Sequence, residues 1–369
     1  MPVSDFIIYG SFGFGNSGDE AVPEAVHDML ENIKSDAHTY TFTRFDNPET
    51  EDVVGMGAQY SRLHDKTRGL PMILSGGGVI EPSHFSCLFR AEPIIRRRDG
   101  GRATLFACSV EPGVDFSWRY RWRLRSLLKL MGTVYTRDLL SEQTLNALIP
   151  SVRTETIGDL VLWMRPAYTE KVAELQIPDR YITCILASCW RDDNAWTNWI
   201  TSELARASQE LNATLVFLPM STRHDDDRLE HARISKEIRQ KYPDINIYEI
   251  AAQLQPREVC QIISESLVTI SMRLHGCVMA YAQSTPFVSI VYHPKLFGFL
   301  ETVGCLNRSL PRTGPRRQTS KYYGYSFSDL ELNRNDLSKA IEEAFIPSSN
   351  TRLDELKEKS LNALREILR

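Results

Sequence analysis

Two stretches of the chain carry side chains that could act on an anionic, oxygen-rich substrate. The segment "LVTISMRLHGCVMAYA", residues 267–282, sets Arg273 and His275 directly after an apolar run and at the start of a helical pattern. The first N–H groups of a helix have no partner inside it, so with an arginine beside them they form an anion site. His275 supplies a group that titrates near neutral pH and can give or take a proton. One helix and one strand further on, "VYHPK" puts His293 and Lys295 at a second strand end. Burying Arg273 and His275 in a cleft with no counter-charge is costly, so the pair is expected to meet a ligand.

The second stretch is "YGSFGFGNSGDEAV", residues 9–22, whose GFGNSG fits the dinucleotide-loop spacing G-x-G-x-x-G between a strand and a helix. The acid that grips a ribose belongs at the end of the following strand, about 20 residues on. Asp36 precedes that strand, "HTYTFT", and Asp46 lies too far beyond it. Asp19 and Glu20 also occupy the first helical turn, where they suit the helix dipole but repel a pyrophosphate. Two readings remain: a tight turn with Asn16, Ser17 or Asp19 capping the helix, or a polar wall for a neutral, hydroxyl-bearing ligand. In the second, Asp19 accepts a proton from a sugar hydroxyl.

Other strand ends add to the constellation. Arg191 in "ILASCWRDD" and Arg137 in "VYTRD" face the expected cleft or simply pair with the neighbouring aspartate. Gly77 lies in "SGGGVIEP", a backbone-rich loop that either admits a ligand closely or makes a tight turn. "RHDDDR" reads as a solvated helix start, and no His, Cys or acid grouping has metal-ligand spacing. From Arg90 to Arg137 there are eleven Lys or Arg against four acids. The aromatic, basic segment 117–129 within it suits an anionic lipid headgroup or a glycolipid acceptor. A solvated amphipathic helix with snorkelling arginines accounts for it equally.

These residues need a scaffold, and the patterning predicts one. Apolar runs at 6–9, 39–44, 71–75, 102–109 and 133–136 alternate with helical patterns at 20–33, 117–131 and 138–148. After an irregular junction the alternation resumes, with strands at 181–187, 213–218, 245–250, 267–271 and 287–291. Such alternation gives parallel α/β sheets. The expectation is two Rossmann-like domains facing a central cleft, GT-B-like, over 1–165 and 166–345. A C-terminal amphipathic helix, 346–369, packs on the body with Leu353, Leu356, Leu364 and Ile367 on one face and Ser360 as a polar gap. Segment 308–323, rich in Pro, Gly and Arg, reads as a mobile loop.

Composition narrows the partners. A net charge of −4 over 369 residues gives no reason for nucleic-acid binding. No apolar stretch approaches the roughly 20 residues that cross a bilayer, and "MPVSDFIIYG" reads as a first buried strand, not a signal peptide. Seven scattered cysteines with no C-x-x-C pair read as buried thiols of a cytoplasmic protein, at most touching the inner face of the membrane.

"YGSFGFGNSGDEAV", "ILSGGGVIEP", "VYTRDLLSEQTL", "TIGDLVL", "LPMSTRHDDD", "ISMRLHG" and "VYHPKLFGF", in this order, resemble the polysaccharide pyruvyl transferase family. The resemblance implies a GT-B-like architecture, phosphoenolpyruvate as donor with no other cofactor, and a pyruvate ketal on two hydroxyls of a polysaccharide or glycolipid precursor. It also implies that Arg273 and His275 bind or activate phosphoenolpyruvate. His293 departs from it, since an acidic or small polar residue is expected there. The rival readings are a GT-B nucleotide-sugar glycosyltransferase, disfavoured because no clear Glu follows "RLHG", and a non-catalytic carbohydrate-binding protein.

Overall fold

The apolar runs that precede the turn signals form strands buried on both faces, as parallel sheets covered by helices require. Phe6–Tyr9 buries all four of its residues and Ala103–Val110 all eight. The computed structural model describes residues 5–13, 15–33, 37–43, 53–55, 69–81, 87–97, 102–112, 116–223, 225–312, 325–346 and 350–368.

The chain folds as two units. The first carries β1 (Phe6–Tyr9), β2 (Thr39–Thr43), β3 (Val53–Gly55), β4 (Met72–Ile80), β5 (Ala103–Val110), β6 (Val134–Thr136) and β7 (Thr154–Thr156). They form one parallel sheet in the order β3-β2-β1-β4-β5-β6-β7, with Ile7 in register with Tyr40 on one side and Met72 on the other. The second carries β8 (Tyr181–Ile185), β9 (Thr214–Phe217), β10 (Ile247–Glu249), β11 (Val268–Ser271), β12 (Phe287–Ile290) and β13 (Ser309–Leu310). Their order is β10-β9-β8-β11-β12-β13, again parallel. In each unit the strand order reverses beside the first strand, at β1/β4 and at β8/β11. Ligands of open α/β sheets bind at the carboxyl ends of the strands at such a switch point.

The sequence pattern misses β3, β7 and β13, which have three, three and two residues and no measurable alternation. It also misses the helix Pro294–Val303, which is apolar on most sides and contains Gly298. Of the segment 308–323, Ser309–Leu310 forms β13, and 313–323 lies outside the described residues.

Two features refine the division expected from sequence. Gly15–Gly18 groups with the second unit, which otherwise runs Met164–Thr351. The cause is backbone pairing: Ser17 N donates to Met220 O at 2.8 Å, and Thr222 N donates to Gly15 O at 3.1 Å. The helix Thr351–Ile367 belongs almost entirely to the first unit. It buries Leu353, Leu356, Leu361, Leu364 and Ile367. Ser360 is buried in the same face, where its Oγ accepts from Trp163 Nε1 at 2.9 Å and donates to Lys357 O at 2.9 Å. The polar gap in the stripe is thus a satisfied hydrogen bond.

Leu364 is fully buried in this helix. Leu364→Ala is expected to lower the unfolding free energy of the first unit by about 2–5 kcal/mol, the cost of a cavity at a buried leucine. Denaturant titration followed through a first-unit probe checks this; a loss under about 1 kcal/mol would mean the helix does not pack as described.

Candidate functional site at the strand ends of the second unit

Arg273 is the N-cap residue of the helix Leu274–Ala282, directly after β11 and Met272. Its guanidinium grips Asp227 in fork geometry: Nε donates to Oδ1 at 3.1 Å and to Oδ2 at 3.3 Å, and Nη2 donates to Oδ1 at 2.5 Å. Nη2 also donates to Asp225 Oδ2 at 2.7 Å. Asp227 is fully buried, and its Oδ2 accepts from the backbone N–H of Met220 and of Ser221, each at 3.0 Å. Both its oxygens therefore meet only donors, the pattern of an ionised carboxylate. Burial pushes the Asp227 carboxyl up, against the pull of Arg273. Burial also opposes charge on Arg273, but Asp227 and Asp225 outweigh it and hold the guanidinium pKa above its ordinary value.

Arg273 is not buried without a counter-charge, because Asp225 and Asp227 supply it. "RHDDDR" is not a uniformly solvated helix start. Its three aspartates divide: Asp227 is buried, Asp226 caps the helix Asp227–Lys241 by accepting from Arg228 N, and Asp225 stays half-exposed. Asp225 also accepts from Ser188 Oγ at 3.0 Å. Burial raises its carboxyl, but Arg273, Ser188 and Lys295 together bring it below the usual range.

The glycine loop meets the same strand ends. Asn16 forms an antiparallel bridge with Ser221, and its Oδ1 accepts from Gly18 N at 3.0 Å, capping the helix Ser17–Asn32. Ser17 Oγ lies 3.5 Å from Leu254 O, at the limit of a hydrogen bond. Gly18 packs under the imidazole of His275: a Cβ on Gly18 would lie 2.1 Å from His275 Nδ1. No side chain fits there, so the third glycine of G-x-G-x-x-G is explained by a histidine 257 positions away and not by a pyrophosphate. Gly276 has a matching reason. A Cβ there would meet Ser271 Oγ at 2.5 Å and Ile185 Cδ1 at 2.7 Å, so its absence lets the helix Leu274–Ala282 sit on β8 and β11. His275 itself is buried at the second helical position.

Lys295 and His293 flank the next strand end. His293 is the N-cap of the helix Pro294–Val303, and its Nδ1 accepts from Lys295 N at 3.3 Å. Capping is the ordinary work of an acidic or small polar residue, so this departure from the resemblance keeps a structural role. Lys295 Nζ lies 5.7 Å from the centre of the Tyr292 ring and is close enough to Asp225 to lower its carboxyl. Arg191 is exposed at the end of the short turn Ser188–Trp190 that follows β8. The second unit thus gathers Arg273, His275, Lys295, His293 and Asn16 around the carboxyl ends of β8, β9, β11 and β12. Sequence reasoning missed Asp225, Asp227, Ser188 and Gly18 as their partners; the one available signal was three consecutive acids just past a strand.

The remaining candidates belong to the first unit. Asp19 is half-buried in the first turn of the helix Ser17–Asn32, immediately after Gly18. Arg137 is buried, with Nε 3.4 Å from Asp138 Oδ2 and 3.7 Å from Asp159 Oδ2. It is paired with its neighbour, the plainer of the two readings. Gly77 falls inside β4.

Comparison with known proteins adds three findings. The family model described as polysaccharide pyruvyl transferase matches residues 16–294. A search of curated proteins finds no match. Among solved structures, the chain is similar to the UDP-GlcNAc 2-epimerase of Methanocaldococcus jannaschii, with 11% identity and TM-score 0.63 over 98% of this chain and 99% of that one. It is also similar to the UDP-N-acetylglucosamine 2-epimerase of Rickettsia bellii (11%, 0.55, 100% and 96%). A third is the UDP-GlcNAc 2-epimerase of Neisseria meningitidis (10%, 0.54, 99% and 99%). At such identities the likeness speaks for the fold alone, and that fold is GT-B-like, with two parallel-sheet α/β domains.

Two measurements test this geometry. Gly18→Ala should destabilise by about 1–3 kcal/mol through overpacking, and most of that cost should vanish in a His275→Ala background, where the clashing ring is gone. Additive costs in the double-mutant cycle would show that the two residues do not touch. His231, on the helix Asp227–Lys241, is buried with Nε2 accepting from Leu186 N at 3.1 Å, and burial pushes its pKa down from 6.5 to about 3. Between those values the unfolded chain holds a proton that the folded chain refuses, so stability falls as pH is lowered through the window. His231→Gln should flatten that limb by up to about 1.4 kcal/mol per pH unit; an unchanged slope from pH 6 to 4 would contradict it.

Proposed function

The chain belongs to the polysaccharide pyruvyl transferase family, and we propose that it moves pyruvate from phosphoenolpyruvate to two hydroxyls of a sugar in a polysaccharide or glycolipid precursor. The observation that carries this reading is the contact between Gly18 and His275. It brings the two most specific motifs of the family-matched span, G-N-S-G-D and R-L-H-G, onto one set of strand ends.

Phosphoenolpyruvate carries a carboxylate and a phosphate. The N-terminus of the helix Leu274–Ala282 and Lys295 suit those groups. Arg191 adds to them. Arg273 shares its charge with Asp225 and Asp227, so its larger part is to fix the strand end from which His275 projects. His275 donates a proton to the methylene carbon of the enol, which becomes the methyl group and leaves C2 electrophilic. A sugar hydroxyl attacks C2 and gives its proton to a base, for which Asp19, next in the chain to Gly18, is the candidate. The C2–O bond to phosphate then breaks and the second hydroxyl closes the ketal, its proton leaving with the phosphate. Cations around the phosphate stabilise the charge that develops on it.

Ligand-dependent melting separates this reading from its rivals. Phosphoenolpyruvate at about 100 times its Kd should add roughly 2.7 kcal/mol of stability. A shift with UDP- or GDP-sugars instead would favour a glycosyltransferase, and a shift with neither would favour a non-catalytic protein. With a glycoside acceptor, His275→Ala should abolish phosphate release from phosphoenolpyruvate. Near-normal turnover by Asp19→Asn would remove Asp19 from the role of base.

A further inference from the structure

The helix Trp118–Leu128 of the first unit has a face that its own packing does not use. Ser117 Oγ starts it by accepting from Tyr120 N at 3.2 Å, and it buries Tyr120, Leu124, Leu127 and Leu128. Trp118, Trp122, Arg125 and Lys129 follow the spacing i, i+4, i+7, i+11, which places them together on the opposite face. Trp118 is 73% exposed, Trp122 72%, and Leu130, just beyond the helix, 54%. Two large indole rings on a water-facing helix surface are far from the usual fate of tryptophan.

The charges on the segment divide as the exposure does. Phe116 to Arg137 contains six Arg or Lys and no acid. Arg121 turns inward to Phe116 O at 2.9 Å, and Arg123 pairs with Glu92 at 2.6 Å while lying 3.9 Å from the centre of the Phe89 ring. Arg125 and Lys129 face outward with the tryptophans, and neither has an ion pair among the described residues. Beside them is a pocket of about 390 Å³ lined by Arg125, Lys129 and Arg153 with the hydroxyls of Thr133 and Ser151, and by no acid. Three cations and two hydroxyls around an open pocket match a phosphate group, and the neighbouring indoles match the headgroup layer, where tryptophan rings settle.

We propose that this face is a docking surface for an anionic phospholipid bilayer. Trp118, Trp122 and Leu130 enter the headgroup–acyl boundary, and Arg125, Lys129 and Arg153 hold a lipid phosphate. Charge complementarity selects this occupant. A second copy related by two-fold symmetry would set the same cations against each other, and a neutral partner would leave them without counter-charges. The helix lies along the surface: no helix among the described residues is long and apolar enough to cross a membrane. The proposal stands independently of the pyruvyl-transfer reading, because it concerns exposed residues of the first unit and a different ligand.

The test is sedimentation of the full chain with vesicles of phosphatidylcholine alone or with about one-third phosphatidylglycerol. Binding is expected only to the anionic vesicles. Arg125→Gln/Lys129→Gln/Arg153→Gln should weaken it on the order of a hundredfold, at about 1 kcal/mol per cation near such a surface. Trp118→Ser/Trp122→Ser should weaken it at least tenfold, with unchanged melting because both rings are exposed. Equal binding to the two vesicle types would overturn the proposal, as would no binding at physiological salt or variants that bind like the parent. Displacement from vesicles by millimolar inorganic phosphate would also overturn it, in favour of a site for free phosphate. So would a dimer that dissociates in the tryptophan variant, in favour of a second copy.

Discussion

The second unit depends on one buried ion pair, Arg273 with Asp227. Asp227 holds the backbone N–H groups of Met220 and Ser221 with Oδ2 and the guanidinium with both oxygens, most closely with Oδ1. Through the arginine it ties the end of β11 to the segment that follows β9. That segment carries the loop 15–18 by the two backbone hydrogen bonds of the Asn16–Ser221 bridge, and the loop ends at Gly18, under the ring of His275. His275 is two residues from Arg273. The contacts therefore close a ring of short steps, and each step fixes the position of the next. Removing one partner of such a pair leaves a buried charge uncompensated, at a cost of about 3–5 kcal/mol.

The ring also settles how charge is distributed over the strand ends. Asp227 is sealed from water, and Asp225, on the same guanidinium, is half open. With two carboxylates on one guanidinium, the group presents no net positive charge to the solvent side, and Lys295 is the neighbouring cation. The field at these strand ends is thus shaped by both signs. The same constraint suits His275, whose backbone and ring are both held before any ligand arrives.

Much of this was legible in the sequence. Strands buried on both faces read as apolar runs, and longer amphipathic stretches read as helices, so the alternation of a parallel α/β chain emerged from local pattern alone. Arg273, His275, Lys295 and His293 stood out because strand-to-helix turns are where such sheets place chemistry. What escaped was set by partners distant in sequence. A run of three aspartates ordinarily faces water, and only Arg273, 46 residues away, reveals why Asp227 does not. The spacing G-x-G-x-x-G suggested phosphate because glycines are usually absent side chains for a ligand's benefit. Here the beneficiary is an imidazole of the same chain. β3, β7 and β13 are too short for any period to show.

The first unit is assembled from three separated stretches of chain, the last being the helix Thr351–Ile367 that returns to Trp163. During synthesis the core between Gly158 and Leu356 cannot close until this helix has left the ribosome. Domains generally fold in order of emergence, yet this order is inverted here: the strands of the second unit are all made before the first unit is complete. The strands of the first unit therefore wait for a helix made after the whole second unit, and a chain lacking that helix would expose part of the first unit's apolar core.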